Sequence, residues 1–282
     1  MNFPSTTLAF WVNNIDPFMI KFPDSWPLDG IRWYGFAYVL GFLIGLALLH
    51  LYYVKRRSPY DADQQTTLIT AIIIGTIVGG RLGYMLLYSF SEFLSNPFIF
   101  FMTTRGGMAS HGGIVGIFAA LFWFSRKTKT SLLGLCDLVV TIAPPGLFFG
   151  RIANFINGEL WGKISDLPWA VIFPTSAPEG YPVELIPARH PSQLYEAGLE
   201  GLFLFAYMQF RFWTRGKILP KGQLTGEFFI GYAVARIICE VFREADAPLI
   251  LGLNPGQFYS IFLIIAGIGF IWVSRRLRAL SY

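Results

Sequence analysis

Apolar segments approaching the thickness of a bilayer recur along almost the whole chain, and no other feature restricts its fold so tightly. Roughly 20 apolar residues span the hydrocarbon core of a membrane, and inside that core a helix satisfies its own backbone polar groups. Seven spans are expected: about Trp33–Val54, Leu68–Tyr88, Gly112–Phe124, Leu132–Phe149, Gln193–Phe212, Glu227–Phe242 and Gln257–Val273. The third is short unless it begins near Met108. The fourth contains Pro144-Pro145, which should kink it and leave backbone carbonyls for neighbours to satisfy. Composition agrees, since 54% of the chain is hydrophobic and only 14% charged, far from the usual soluble balance. The expected fold class is an all-α polytopic membrane protein of about seven transmembrane helices with a small external Pro-rich head or arm.

Basic residues orient these spans. Lys55, Arg56 and Arg57 follow the first, and Arg126, Lys127 and Lys129 follow the third. Arg211, Arg215, Lys217 and Lys221 follow the fifth, while Arg275, Arg276 and Arg278 follow the seventh. In a seven-span arrangement they all fall on one side, which the positive-inside rule makes cytoplasmic. The N-terminus is then external and the C-terminus cytoplasmic. The net charge of +5 is on this reading a topology signal, and no nucleic-acid partner is implied, because a nucleic-acid face would be clustered on a soluble module.

One membrane domain is expected over residues 1–282. The first basic residue is Lys21, so Met1–Gly30 lacks the basic start of a cleavable signal peptide. It is expected instead to be an external interfacial segment carrying Trp11 and Trp26. Residues 163–191 hold six prolines, a density that excludes helix and favours extended strands and turns in an external head. Cys136 and Cys239 both fall inside expected spans and read as buried structural thiols, with no metal or redox spacing.

Ionisable groups are expensive at membrane depth and persist where they pair or meet a polar substrate. Four clusters stand out. They are Arg32-Trp33-Tyr34-Gly35, Arg105 through Gly113, the run Gly150 through Gly162 (GRIANFINGELWG), and Tyr232, Arg236, Glu240 and Arg243. Spacings of four, four and three put the last set on one helical face. Each also has a plain structural reading. Tyr34 could anchor the interface, His111 could cap a helix start among glycines, and Arg236 could simply neutralise Glu240. Arg81 and Asp137 read as interhelical pairing groups. Glu196 and Glu200 demand basic partners, which the arginines can supply. Arg151, Asn154, Asn157 and Glu159 together are the hardest to assign to packing alone.

Arg151 and Arg236 suit a phosphate, because guanidinium is a planar fork that keeps its charge when desolvated. At this depth the phosphate at hand is a phospholipid headgroup. The residues alone leave binding and chemistry both open.

Over nearly its whole length the sequence resembles the bacterial phosphatidylglycerol–prolipoprotein diacylglyceryl transferases. The resemblance rests on Arg32-Trp33-Tyr34-Gly35, Ser110-His111-Gly112-Gly113, the run Gly150–Gly162, Arg189-His190-Pro191-Ser192-Gln193-Leu194-Tyr195-Glu196 and the Tyr232/Arg236/Glu240/Arg243 set. The run Gly150–Gly162 is the specific element; the tetrapeptides would mean little alone. The resemblance implies transfer of the diacylglyceryl group of phosphatidylglycerol to the lipobox cysteine of a prolipoprotein signal peptide, giving a thioether and glycerol 1-phosphate. It implies a bacterial cytoplasmic (inner) membrane enzyme with no cofactor and no metal. His111, Arg151, Arg236 and Tyr232 are the implied catalytic set. Tyr34, Asn154, Asn157, Glu159, Gly162, Glu240 and Arg243 are the implied substrate-binding set. His111 is favoured as the base that takes the thiol proton, with Tyr232 as its rival.

Two other readings compete. A phospholipid transporter or flippase would usually show repeated halves with matching broken helices, whereas only the fourth span is visibly interrupted here. A transferase acting on a polyprenyl phosphate would want acidic metal ligands, and no DxxD pair lies in an exposed loop.

Overall fold

The computed structural model describes residues 10–23, 25–26, 29–101, 107–245 and 247–280. Met1–Ala9 of the expected interfacial segment, and Arg105 and Gly106 of the second polar cluster, lie outside the described residues. The chain divides into two compact units, one comprising residues 1–44 and 140–282 and the other residues 45–139.

In the first unit, β1 (Trp11–Val12) pairs in parallel with β4 (Val171–Ile172), which ties Trp11 and Val12 to the proline-rich loop. Between them in sequence, β2 (Phe18–Lys21) and β3 (Gly30–Arg32) form an antiparallel ribbon. Trp11 stacks on Phe155 at 5.7 Å, and Asn13 donates to the Phe155 carbonyl at 2.6 Å. The proline-rich loop takes the extended and turn structure expected of it. Isolated bridges join Arg189 to Ile164 and Val171, and single 3-10 turns occupy Pro174–Ser176 and Val183–Leu185.

The helices α1 (Trp33–Val54) and α2 (Ala62–Tyr88) follow. An Asp61–Gln64 capping box starts α2, the Gln64 amide donating to Asp61 at 2.9 Å, which satisfies amides left orphaned at a helix start. A short α3 (Phe90–Ser95) and a 3-10 turn over Pro97–Phe101 lead to α4 (Ser110–Thr128). Within the second unit α2 and α4 are packed through Gly75, Gly79 and Gly83 against Gly112 and Gly116. A Cβ at Gly83 would lie 2.7 Å from the Gly112 Cα. Small residues of this kind let two helix backbones approach closely in a membrane.

The double proline interrupts the next span as expected. Helix α5 (Leu132–Ile142) ends just before it and α6 (Pro144–Ile156) begins with it, the pair bending by 40°. Pro145 has no N–H for the Thr141 carbonyl, and Gln209 Nε2 fills that place at 2.8 Å.

The segment expected as one span at Gln193–Phe212 is composite. It runs as α7 (Ser192–Glu196), a π-helical stretch over Ala197–Phe203, and α8 (Leu204–Arg215). Two further helices, α9 (Gln223–Phe242) and α10 (Pro255–Ala279), pack antiparallel. Gly267 lies against Ile230, and Gly256 lies against Glu240 and Arg236.

Helix covers the core of every expected span. Among the described residues, three helices, α1, α2 and α10, are long and apolar enough to cross by themselves, and the bent pair α5–α6 makes a fourth. Helix α9 misses because Glu227, Arg236 and Glu240 all fall within it.

Candidate active site

Three arginines and three glutamates converge in the first unit. Arg151 projects from α6, its Nη1 in an ion pair with Glu196 Oε2 at 2.9 Å and its Nη2 donating to Glu200 Oε2 at 3.0 Å. From α9, Arg236 Nη1 reaches Glu196 Oε1 at 2.6 Å and lies 3.5 Å from Glu200 Oε1, while its Nη2 bonds Glu240 one turn away. Arg243 Nη1 donates to Glu196 Oε1 at 3.1 Å. Asn254 Nδ2 donates to Glu240 Oε2 at 3.2 Å.

The charges balance, which is the condition for so many of them to survive away from water. Glu196 and Glu200 are fully buried, whereas the Arg151 and Arg236 side chains keep 17% and 14% of their surface. A guanidinium carries five N–H donors. Arg151 donates from Nε and Nη2 to Glu200 and pairs ionically with Glu196 through Nη1, so donors remain on its open edge. The π-helical turn begins directly after Glu196 and contains Glu200. Such bulges tend to mark functional sites, and this one sets both carboxylates against the arginines. A Cβ on Gly201 would lie 2.6 Å from the Phe148 Cβ, so glycine is what lets α6 approach here.

A second polar group adjoins in sequence. Asn154 Nδ2 donates to Glu159 Oε1 at 2.8 Å and lies 3.4 Å from the Tyr34 hydroxyl. Gln193 Nε2 donates to the Glu159 carbonyl at 2.6 Å and Ser192 Oγ to the Leu160 carbonyl at 3.0 Å. Gly158 (φ 65°) and Leu160 (φ 59°) reverse the chain after α6, the first being the residue type that adopts such angles without strain. Asn157 Oδ1 is buried without a hydrogen-bond partner, which is uncommon for an acceptor inside a protein. Tyr232 sits one turn before Arg236, its ring stacked on Phe228 at 6.2 Å.

The structure corrects one expectation. Arg243 is not on the face of α9: the helix ends at Phe242 and Arg243 is extended, bridged to Gly162. Its guanidinium nevertheless reaches the network. Gly162, expected to bind substrate, has its amide on the His190 carbonyl at 2.9 Å and its carbonyl on Arg189 at 3.2 Å. Its position is fixed by close packing, since a Cβ would lie 2.6 Å from the Phe242 carbonyl.

His111 belongs to the second unit, exposed in the first turn of α4. It lines an apolar groove of about 980 Å³ between α2 and α4, with Gly79, Leu82, Val115 and Trp123. Arg81, in the same unit, donates to the carbonyls of Ile99, Phe100 and Gly107 at 2.6, 3.0 and 2.9 Å. These bonds tie Ile99, Phe100 and Gly107 to α2 and give Arg81 a structural role. Among the described residues no group of His, Cys, Asp and Glu could hold a metal.

The expected site set left out the hub of the network, Glu196. Its signal was present in two glutamates four residues apart in an apolar stretch. The contributions of Gln193 and Asn254 had no such signal.

Named relatives match the chain over most of its length. The chain is 41% identical to the phosphatidylglycerol–prolipoprotein diacylglyceryl transferase of Cereibacter sphaeroides, covering 91% of this chain and 98% of the relative. The transferase of Proteus mirabilis is 41% identical, covering 92% and 96%, and that of Idiomarina loihiensis 44% identical, covering 90% and 91%. The family profile described as prolipoprotein diacylglyceryl transferase matches residues 25–273, which takes in every residue of the network. The chain belongs to the prolipoprotein diacylglyceryl transferase family.

Proposed function

We propose that this chain transfers the diacylglyceryl group of phosphatidylglycerol to the thiol of a lipobox cysteine in a prolipoprotein signal peptide. The observation that carries the reading is the charge-balanced network of Arg151, Arg236 and Arg243 with Glu196, Glu200 and Glu240, in a chain that its relatives match almost end to end. In the reaction the sulfur forms a bond to the terminal glycerol carbon of the diacylglyceryl group. The bond from that carbon to the phosphate oxygen breaks, and its electron pair leaves with glycerol 1-phosphate. The thiol proton passes to a base.

Charge therefore grows on the phosphate, and preorganised cations are the efficient way to meet it. Arg151 and Arg236 serve here, held in place by buried carboxylates and open on one edge. Asn157 Oδ1 lacks a donor and is suited to a headgroup hydroxyl. Tyr34, Asn154 and Glu159 hold one another and order the approach to the arginines. Glu240 and Arg243 complete the charge balance, and Gly162 sets the loop that holds Arg243.

Two side chains are candidates for the base, His111 and Tyr232. A free thiol ionises near pH 8.5. If His111 is the base, the turnover lost in His111→Gln returns partly as pH rises toward that value. If Tyr232 is the base, Tyr232→Phe shows that behaviour instead. The reaction is followed by the mass gained by a lipobox peptide. The relatives named above are all transferases, so the transporter alternative draws no support from them.

The thirteen basic residues that follow the expected spans support a cytoplasmic C-terminus in the bacterial inner membrane, with the N-terminus external. Seven crossings require that α4, α9 and the composite α7–α8 segment also span.

A further inference from the structure

The far ends of α8 and α10 enclose a second polar cleft. It has a volume of about 620 Å³ and is lined by Arg211, Arg215, Arg275 and Arg278 together with Ile218 and Gln223. Arg211 is held by Glu227, with bonds of 2.8 and 2.6 Å, and Gln223 donates to the same carboxylate at 2.9 Å. Arg278 donates to the Ile218 carbonyl at 2.7 Å. Among the described residues, no carboxylate forms an ion pair with Arg215 or Arg275. Four guanidiniums thus border one concavity in which a single glutamate is paired.

Gly256, at the start of α10, touches Glu240 and Arg236, whereas Arg275 is near its end. Roughly 28 Å of helix separates these positions at 1.5 Å per residue, about the thickness of the hydrocarbon core. The cleft therefore opens at the opposite membrane face from the arginine–glutamate network. The positive-inside bias explains basic residues at this end. It does not explain why four of them converge on one cleft whose rim also carries Leu219 and the exposed apolar side chain of Ile218.

We infer that this cleft seats the phosphate of an anionic phospholipid from the leaflet on that side, with Arg215 and Arg275 supplying its charge. A lipid suits the site better than free phosphate because the apolar rim borders the bilayer, and basic pockets between transmembrane helices suit anionic headgroups. The inference rests on α10 crossing the membrane and is independent of the transfer chemistry.

Native mass spectrometry of the purified full chain, with dioleoyl phosphatidic acid or dioleoyl phosphatidylcholine added, tests it. The wild-type protein should retain phosphatidic acid in preference to phosphatidylcholine. The R215Q/R275Q variant should retain about tenfold less, and R215K/R275K, which keeps the charge, should retain most of it. Because the network is unchanged in these variants, the difference reports on the cleft alone. Millimolar inorganic phosphate should not displace the lipid. Equal retention by wild type and R215Q/R275Q overturns the inference, as does a wild-type protein that takes up phosphatidylcholine equally well or releases phosphatidic acid to inorganic phosphate.

Discussion

Glu196 stands between Arg151 and Arg236, one carboxylate oxygen 2.9 Å from the first and the other 2.6 Å from the second. Arg243 shares the latter oxygen at 3.1 Å. A wholly buried carboxylate divided among three guanidiniums fixes where they can point. It also separates two like charges that would otherwise repel while they wait for a phosphate.

Glu196→Gln should therefore destabilise the protein and lower turnover together. Removing one partner from a buried ion pair costs about 3–5 kcal/mol, because the remaining charges are left uncompensated. The check is a thermal unfolding midpoint in detergent with and without added phosphatidylglycerol. A midpoint equal to wild type would show that the arginines do not depend on this carboxylate.

Arg151→Lys keeps the charge and loses the fork. Lysine cannot hold Glu196 and Glu200 together and still present donors to a phosphate, since its ammonium is a compact point charge. Turnover should fall on the order of a hundredfold while the folded protein is recovered in normal yield. Near-normal turnover would mean that charge alone suffices.

Gly162→Ala should behave as a packing lesion rather than a loss of substrate contact. Its Cβ would lie 2.6 Å from both the His190 and the Phe242 carbonyl oxygens, and overpacking of this kind costs about 1–3 kcal/mol. The expected result is a lowered unfolding midpoint together with reduced activity. Loss of activity at an unchanged midpoint would return Gly162 to the substrate.

His190 lies in the loop before α7, against Phe242 at 5.3 Å and bonded to the Tyr195 hydroxyl at 3.2 Å. Burial, and then the charge of Lys163, hold its pKa below the ordinary value of 6.5. The unfolded chain thus takes up this proton at higher pH than the folded one, so stability rises with pH across that interval. The contribution is present above pH 6.5 and is lost as pH falls through the lowered value. Unfolding midpoints measured from about pH 7.5 down to about pH 5 should fall less steeply for His190→Gln than for wild type. Parallel curves would remove the assignment.

What could be read in advance follows from which forces act locally. The first apolar span was legible to the residue, Trp33–Val54, because its apolar run and flanking charges coincide with the helix ends. The break at Pro144-Pro145 was legible because a missing N–H is a local fact. That Gln209 would replace it was not, because that bond joins residues 68 positions apart. The same limit applies to the site. Arg151, Arg236 and the two glutamates were recognisable as charges in need of partners. That Glu196 would serve all three arginines depends on how α6, α7 and α9 meet. The π-helical turn after Glu196 and the extended backbone of Arg243 likewise arise from tertiary packing and left no periodic trace in the sequence.

The central claim is that this chain forms a thioether between a diacylglyceryl group and a prolipoprotein cysteine. The direct measurement incubates the purified protein with phosphatidylglycerol and a lipobox peptide, then weighs the peptide and assays released glycerol phosphate. The account predicts that the cysteine peptide gains one diacylglyceryl mass, with an equal amount of glycerol phosphate released, and that a serine-substituted peptide gains none. An unmodified cysteine peptide, in the presence of folded protein that binds phosphatidylglycerol, would contradict it.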